Sequence, residues 1–425
     1  MKHALLLLCC VLAGCATPRP IDSKDPAVRR DAVLAAATRP EQLALVGRAL
    51  GDRDERVSEA ARAALAGVGE EAVPAIARAL HDRDPWTRWG AANALCSLKG
   101  KARAAAVDLV AALHDRNAGV RRIAAAALGY VDPDPAIALP GLVAAIHDED
   151  SAVRDSAIRA LGAMGPAAAP VVPMLVGYAE EDADCLVAVL NAVADIGPAA
   201  REAVPMLLRC ARDEGAVVRG CAILALGKVG GEEAMPVVLA ALGDHDSFVQ
   251  YEASEACAAY GRRDARIVPA LAERLASPDP EARLQAAEAL RALGADAREA
   301  LPALARTARE GDPKIAWSVC GAMAKIGPEG VTELAASLDD ASWARRNQAA
   351  MALSCTEEPS ALAPAAPLLI RAFQSPDPMV RVCVVEILGR LEPRAEGTEE
   401  VLQKALQDAD EYVRECARKA LDKAK

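Results

Sequence analysis

The stretch DSAVRDSAIRALGAMG, residues 150–165, decides the fold of this chain. Val153, Ala157 and Leu161 recur at a spacing of four, which places them on one face of an α-helix. Asp150 suits the N-cap position, because its carboxylate can accept bonds from the first unpaired backbone N–H groups. Gly165 suits the end of a helix, where a left-handed residue is favoured. The stretch therefore predicts one amphipathic helix with both of its ends defined.

The same pattern, Asp-x-x-Val-Arg-x-x-Ala-x-x-Ala-Leu-x-x-Val-Gly, returns along the whole chain at steps of 29 to 35 residues. The position of its Val is occupied in turn by Val28, Val57, Thr87, Val120, Val153, Cys185, Val218, Val249, Ala282, Ile315, Arg345, Val380 and Val413. Thirteen recurrences predict thirteen repeats. The spacing is least regular around Arg345.

A second apolar segment follows the first in each repeat, such as AVPMLLRCA at residues 203–211, with a proline in its first turn. One helix pair cannot bury both of its apolar faces, whereas stacked pairs bury a continuous core. Hydrophobic residues make up 53% of the chain and aromatic residues only 3%, which favours close-packed helices over sheets. We therefore predict an all-α solenoid of about thirteen stacked helix pairs over residues 25–425.

This repeat core resembles HEAT repeats, and it is most similar to the short form found in phycobilisome lyases. Ankyrin and tetratricopeptide arrays have a similar period, but their signature residues are absent here. In the HEAT-like family the Arg after the Val forms a ladder with Asp residues at the repeat turns. The resemblance implies a ladder of Arg29, Arg88, Arg121, Arg154, Arg219, Arg283, Arg346, Arg381 and Arg414. Ser58, Leu186, Gln250 and Ala316 depart from it, and we expect looser stacking at those positions.

The amino-terminal segment MKHALLLLCCVLAGC has a basic residue, a short apolar run and small residues, which is typical of a secretory signal peptide. The apolar run is shorter than the roughly 20 residues that span a bilayer, and we expect no transmembrane helix. Leu12-Ala13-Gly14-Cys15 resembles the bacterial lipobox. The alternative is an ordinary signal peptide with an incidental cysteine.

The lipobox resemblance implies that residues 1–14 are removed and that Cys15 carries the lipid. Two or more acyl chains give stable membrane anchoring. Residues 15–24 contain two prolines and no apolar period, and we expect an extended tether there. Ala16 follows the lipid site, which by resemblance to enterobacterial lipoproteins favours the outer membrane. We expect a location in the bacterial cell envelope, lipid-anchored and facing the periplasm.

The charge of the chain opposes nucleic-acid binding. Its formal net charge is −11 and no Lys/Arg run occurs, whereas phosphate binding needs a surplus of cations. Asp residues recur at the repeat turns, where they suit helix capping. The alternative is an acidic ridge that attracts a basic partner.

His81-Asp82, His114-Asp115 and His147-Asp148 occupy the same phase of three successive repeats. HEAT-like deoxyhypusine hydroxylases bind two irons through His-Glu pairs, but this sequence has His-Asp pairs and a single run. Neighbouring helices lie about 8–10 Å apart, so at most two of these histidines could converge on one ion. We interpret them as helix-end and turn residues, and we predict no metal site and no cofactor.

Two aromatic pairs are the candidate partner-binding residues: Trp86 with Trp89, and Phe248 with Tyr251. The 3.6-residue period points both pairs away from the Val/Ala/Leu face, where exposed aromatics are typical contact hot spots. The alternative is packing against the adjacent repeat. The nine cysteines beyond Cys15 show no Cys-x-x-Cys spacing, and we expect buried thiols.

These features together predict a non-catalytic, lipid-anchored envelope scaffold that binds partner proteins through its repeat surface. No P-loop, GxSxG or HExxH motif occurs. The alternative is a HEAT-like enzyme, either metal-dependent hydroxylase-like or chromophore lyase-like. A DNA-binding repeat protein would need a basic concave face.

Overall fold

The computed structural model describes residues 20–310, 312–356, 359–392 and 395–422. The predicted signal peptide, the lipid site Cys15 and the first part of the predicted tether lie outside these ranges. Every regular element within them is an α-helix or a 3-10 helix. The predicted all-α class is therefore confirmed.

Thirteen repeats are present, and each begins with a first helix. The first helices are Pro26–Ala37, Glu55–Val68, Pro85–Leu98, Ala118–Tyr130, Ser151–Ala163, Leu186–Ile196, Ala216–Val229, Ser247–Tyr260, Pro280–Leu293, Ala316–Ile326, Trp343–Ser354, Pro378–Leu388 and Glu411–Asp422.

Twelve repeats add a second helix, which is generally shorter. The second helices are Leu43–Arg48, Val73–Ala79, Ala106–Ala112, Pro135–Ala145, Val172–Glu181, Val204–Cys210, Ala234–Ala241, Ile267–Arg274, Leu301–Glu310, Pro328–Ala336, Ala366–Ala372 and Thr398–Ala405. In repeat 11 the one-turn helix Pro359–Leu362 precedes the second helix. In repeat 13 the described residues form the first helix alone.

The chain divides into two compact halves, Met1–Met206 and Leu207–Lys425. Within each half, the first helices of successive repeats pack side by side. In the N-terminal half Leu128, Leu161 and Leu190 on these first helices are fully buried. Gly162 allows a close approach of two first helices, because a Cβ there would lie 2.7 Å from the Cα of Ala192. Ala, Leu and Val thus form the core that the repeat pattern predicts.

The helix starts follow the capping chemistry expected from the sequence. Asp150 accepts hydrogen bonds from the backbone N–H groups of Ala152 and Val153, at 2.9 and 3.3 Å. Asp25, Asp54, Asp246, Asp279, Asp377 and Asp410 make the equivalent bond. Gly197 ends a first helix with φ +70°, a left-handed conformation that glycine adopts without strain.

The links between the two helices are more structured than the sequence suggests. In repeats 3, 5, 6 and 9 a seven-residue 3-10 segment joins them: Lys99–Ala105, Gly165–Val171, Gly197–Ala203 and Gly294–Ala300. Each segment buries at least one alanine, for example Ala297 and Ala300 in the last of them. Repeat 10 differs, because its second helix Pro328–Ala336 begins directly after Gly327.

Residues 20–24 depart from the extended tether predicted for residues 15–24. Pro20–Asp22 forms a 3-10 turn that packs on the first helix of repeat 1. Arg29 donates from Nη1 to the carbonyl oxygens of Ser23 and Lys24, at 2.8 and 3.2 Å. This ladder arginine therefore ties the segment before residue 25 to the first repeat.

One stretch of the described chain, Ala183–Cys210, is long and apolar enough to cross a membrane by length and composition alone. It contains both helices of repeat 6 and their 3-10 link. Val189, Leu190 and Val193 on its first helix are fully buried inside the protein. We interpret the stretch as a pair of core helices.

Candidate functional site

An arginine–aspartate ladder connects successive repeats. Arg121 donates from Nε and Nη2 to the two carboxylate oxygens of Asp148, at 2.7 and 2.8 Å. Its Nη1 donates to the carbonyl oxygen of Asp115, at 3.0 Å. The paired side chains are only 9% and 11% exposed. Two parallel bonds of this kind fix both distance and orientation, so each rung sets the position of one turn against the next.

The predicted ladder is confirmed in both halves at eight of its nine arginines, and the ninth, Arg414, donates instead to the carbonyl oxygens of Asp408 and Ala409. Its rungs are Arg29–Asp52, Arg88–Asp115, Arg121–Asp148, Arg154–Asp182, Arg219–Asp244, Arg283–Asp312, Arg346–Asp377 and Arg381–Asp408. The rungs of Arg154 and Arg346 are longer, at 3.4 and 3.9 Å. Asp148 also accepts the N–H of Asp150, which connects the rung to the cap of the next helix.

Gln250 departs from the ladder sequence, and the structure compensates for it. Its Nε2 donates to the carbonyl oxygen of Asp244 at 2.6 Å, as the ladder arginines do to their own turns. Its Oε1 accepts a bond of 2.5 Å from Arg274, at the end of the second helix of the same repeat. Gln250 and Arg274 therefore replace the missing charge pair with a hydrogen-bonded link.

The ladder makes stability depend on acid pH. A hydrogen bond from Arg121 lowers the pKa of Asp148 and outweighs the opposing effect of burial. Arg381 lowers the pKa of Asp408 in the same way. Because the folded-state pKa lies below the unfolded value, this stability is present above the unfolded pKa, about 4. It is lost as the pH falls through the folded pKa.

We therefore expect the free energy of unfolding to fall as the pH is lowered from about 5 towards 3. Arg121→Met should show a smaller loss over this interval than the unsubstituted protein, because its Asp148 no longer has a depressed pKa. Urea denaturation at a series of pH values measures both slopes. Equal slopes would mean that this rung does not contribute to the acid sensitivity.

The histidine column does not assemble into one site. His81 Nε2 lies 2.8 Å from Asp108 Oδ1. His147 instead packs edge-on against the ring of Tyr178, with centroids 5.2 Å apart. Among the described residues, no group of three or more His, Cys, Asp or Glu side chains is arranged to hold a metal ion. His81 and His147 thus have separate local contacts.

The nine cysteines beyond residue 15 are free thiols. Cys185, Cys221, Cys257, Cys320, Cys383 and Cys416 are buried, as predicted. Cys96 and Cys210 are half-buried. Cys355 differs from the prediction, because it is exposed at the end of the first helix of repeat 11.

The predicted aromatic pairs lie on first helices, in different halves of the chain. Trp86 is 66% exposed, while Trp89 is half-buried near Gly119 of the next repeat. Phe248 and Tyr251 are 38% and 48% exposed. Phe248 also covers Gly220 of the preceding repeat, where an added Cβ would meet its ring. Each pair therefore combines packing against a neighbour with exposure to solvent.

In the C-terminal half this exposed apolar surface extends beyond the predicted pair. We call it the C-terminal apolar stripe. Its members are Val217, Phe248, Tyr251, Trp317, Trp343, Met351, Met379 and Tyr412. All lie on first helices, at phases that fall within about 100° of one another at the 3.6-residue period. Trp317, Met379 and Tyr412 occupy the same repeat positions as Tyr251 or Phe248, so the sequence pattern could have identified them. Trp343 and Met351 lie where the repeat spacing is irregular.

Acidic side chains surround part of the stripe. The nearby carboxylate of Glu255 raises the pKa of Tyr251, with a smaller contribution from burial. Burial raises the pKa of Glu252, and Glu255 adds to this effect. The surface around repeat 8 is therefore apolar with anionic groups close by.

Stacked helix pairs joined by a ladder define this protein as a helical-repeat solenoid. The model of HEAT repeats matches residues 106–192, 173–258 and 268–354, which together make up more than half of the chain. The protein belongs to the HEAT-repeat family. No curated protein matches the chain significantly.

Among solved structures, the chain is similar to Kap95p bound to RanGDP, with 14% identity over 95% of this chain and 65% of that one, and a TM-score of 0.55. A Kap121p mutant is 13% identical over 98% of this chain and 52% of its own chain, with a TM-score of 0.50. The CpcE–CpcF complex of phycocyanin lyase from Nostoc sp. PCC7120 is 22% identical over 54% and 92%, with a TM-score of 0.39. The chain thus spans between half and two thirds of the length of the two karyopherins.

Proposed function

We propose that this protein is a non-catalytic scaffold, anchored by a lipid on Cys15 in the bacterial cell envelope, that binds partner proteins through its first-helix surface. The observation that carries the proposal is the C-terminal apolar stripe. Its members are exposed on one face of the first helices of repeats 7, 8 and 10 to 13, and exposed apolar surface is typical of protein interaction sites. Exposed Trp and Tyr are the residue types that dominate binding energy. HEAT repeats, to which the chain belongs, suggest the same role.

The lipid anchor rests on the lipobox resemblance of Leu12-Ala13-Gly14-Cys15. A location at the outer membrane, facing the periplasm, rests on Ala16 after the lipid site. An anchored protein would present its stripe to soluble or membrane proteins of the same compartment.

Cys15→Ser is expected to release the protein from the membrane fraction without unfolding it, because the thiol that would carry the lipid is removed. Fractionation and immunoblotting measure the distribution, and circular dichroism checks the fold. Cys355→Ser is the matched control, since it removes an exposed thiol elsewhere, and it should remain membrane-bound. Membrane retention of Cys15→Ser would rule out the lipid anchor.

The stripe is tested by capturing envelope proteins with the soluble chain lacking residues 1–15. The double variant Tyr251→Ala with Trp343→Ala is expected to bind the captured partner at least about 30-fold more weakly, which corresponds to a hot-spot loss of 2 kcal/mol. Val107→Ala is the control, because Val107 is 62% exposed on a second helix outside the stripe. Equal affinities for the double variant and the control would place the binding surface elsewhere.

A further inference from the structure

A groove opens in the C-terminal half between the ends of the first helices of repeats 9, 10 and 11. Its volume is about 800 Å³, within the range of about 300–1,000 Å³ that is typical of ligand sites. Arg291 comes from repeat 9, Trp317 and Lys325 from repeat 10, and Cys355 and Thr356 from repeat 11. We call this the repeat 10 groove.

The link between the two helices of repeat 10, which borders the groove, is shorter than that of repeat 9. In repeat 9 the 3-10 segment Gly294–Ala300 follows the first helix and buries Ala297 and Ala300 beside it. Repeat 10 has no such segment, because its second helix begins directly after Gly327. Ala295 of the repeat 9 link and Gly327 and Pro328 at the shorter repeat 10 link all line the groove.

The walls of the groove combine an aromatic surface with cations. Trp317 is 53% exposed, and the remaining wall is mostly apolar, with alanines from all three repeats. Arg291 and Lys325 are the two charged side chains among the lining residues. Both are basic, although the chain has a net charge of −11. The lining therefore combines an apolar face with two basic side chains, and one of these, Arg291, is shared with the carboxylate of Glu288.

Arg291 is held in position before any partner arrives. Its Nε and Nη2 donate to one oxygen of Glu288, at 2.8 and 2.5 Å. The other oxygen of Glu288 accepts a hydrogen bond from the hydroxyl of Ser318 on repeat 10. This chain of bonds fixes the guanidinium at the groove, and a fixed group loses less conformational entropy on binding.

We propose that the repeat 10 groove binds a short peptide segment of a partner protein in which Asp or Glu lies next to a large apolar side chain. The apolar side chain packs on Trp317, and the carboxylate lies near Arg291 and Lys325. A peptide is the occupant because the groove is open to solvent and belongs to a repeat surface that binds proteins. This inference rests on the proposed scaffold function and specifies one of its partner elements.

The test is selection of a random dodecapeptide phage library on the immobilised full chain. Enriched peptides should combine Asp or Glu with Trp, Phe or Leu. Their affinity, measured by fluorescence anisotropy, should fall at least tenfold in Trp317→Ala. It should also fall at least tenfold in Lys325→Glu, which keeps Trp317 and reverses one charge. Trp86→Ala is the matched control, because Trp86 is an exposed tryptophan in the other half, at 66% against 53% for Trp317, and it should bind as the unsubstituted chain does.

Cys355 supplies a second measurement that locates the peptide. It is an exposed thiol that lines the groove, so iodoacetamide should alkylate it readily. A bound peptide should slow alkylation at Cys355, followed by mass spectrometry, and should leave the rate at half-buried Cys96 unchanged. Peptides without acidic residues, equal affinity for Trp317→Ala, unprotected Cys355 or no enrichment would each overturn the proposal. If the soluble chain still captures envelope proteins in that case, the scaffold function stands and the groove assignment alone fails.

Discussion

Replacing Arg121 with methionine is expected to lower the free energy of unfolding of the surrounding repeats by about 3–5 kcal/mol. Methionine keeps most of the apolar stem but leaves Asp148 without its bidentate partner at a site where it is 11% exposed. A buried carboxylate without a partner carries its full desolvation cost. Native-state hydrogen exchange of the amides in repeats 4 and 5 measures the loss locally.

Arg159→Met is the matched control for this effect. Arg159 pairs with Asp155 at 2.7 Å, but these side chains are 65% and 42% exposed. Exposed pairs contribute only about 0–1 kcal/mol, so the control should change little. If both variants lose the same free energy of unfolding, the ladder rung stabilises the protein no more than a surface ion pair does.

Leu161→Ala is expected to cost about 2–5 kcal/mol, because it removes fully buried methyl and methylene groups from the first-helix layer and leaves a cavity. The loss should concentrate in repeats 4 to 6, since stability in a repeat protein is largely a sum of neighbouring interfaces. Urea denaturation measures the size of the loss in free energy of unfolding. Native-state hydrogen exchange shows which repeats are affected.

Leu34→Ala provides the comparison, because Leu34 is 46% exposed on the first helix of repeat 1. It should stay within about 0.5 kcal/mol of the unsubstituted protein, as surface substitutions usually do. An unchanged exchange pattern in Leu161→Ala would show that the core of repeat 5 is not where the sequence and the structure place it.

The ladder and the first helices could be predicted because their signals are local and repeated. Asp150, Val153 and Arg154 lie within five residues, and each has a separate physical role in capping, core packing or pairing with the next turn. Thirteen copies of such a pattern leave little ambiguity about fold class or repeat number. The pairing of the ladder arginines with Asp residues at the turns was implied by the resemblance to HEAT-like repeats.

The 3-10 links and the repeat 10 groove could not be predicted in this way. Segments such as Gly165–Val171 are rich in Ala and Pro and have no period that separates a 3-10 helix from a loop. Exposure was also only partly predictable, because the face opposite the core borders both solvent and the next repeat. Trp86 and Trp89 share that face, yet one is exposed and the other is half-buried.

The ladder also bears on how such a protein can evolve. Each rung joins one repeat to its immediate neighbour. A duplicated repeat therefore adds its own cap, core residues and rung, and a deleted repeat removes all of them together. The exposed side chains of Tyr251 and Trp343 themselves are not members of those rungs. Selection can therefore lengthen the array, or change the partner it recognises, while the inherited architecture stays intact.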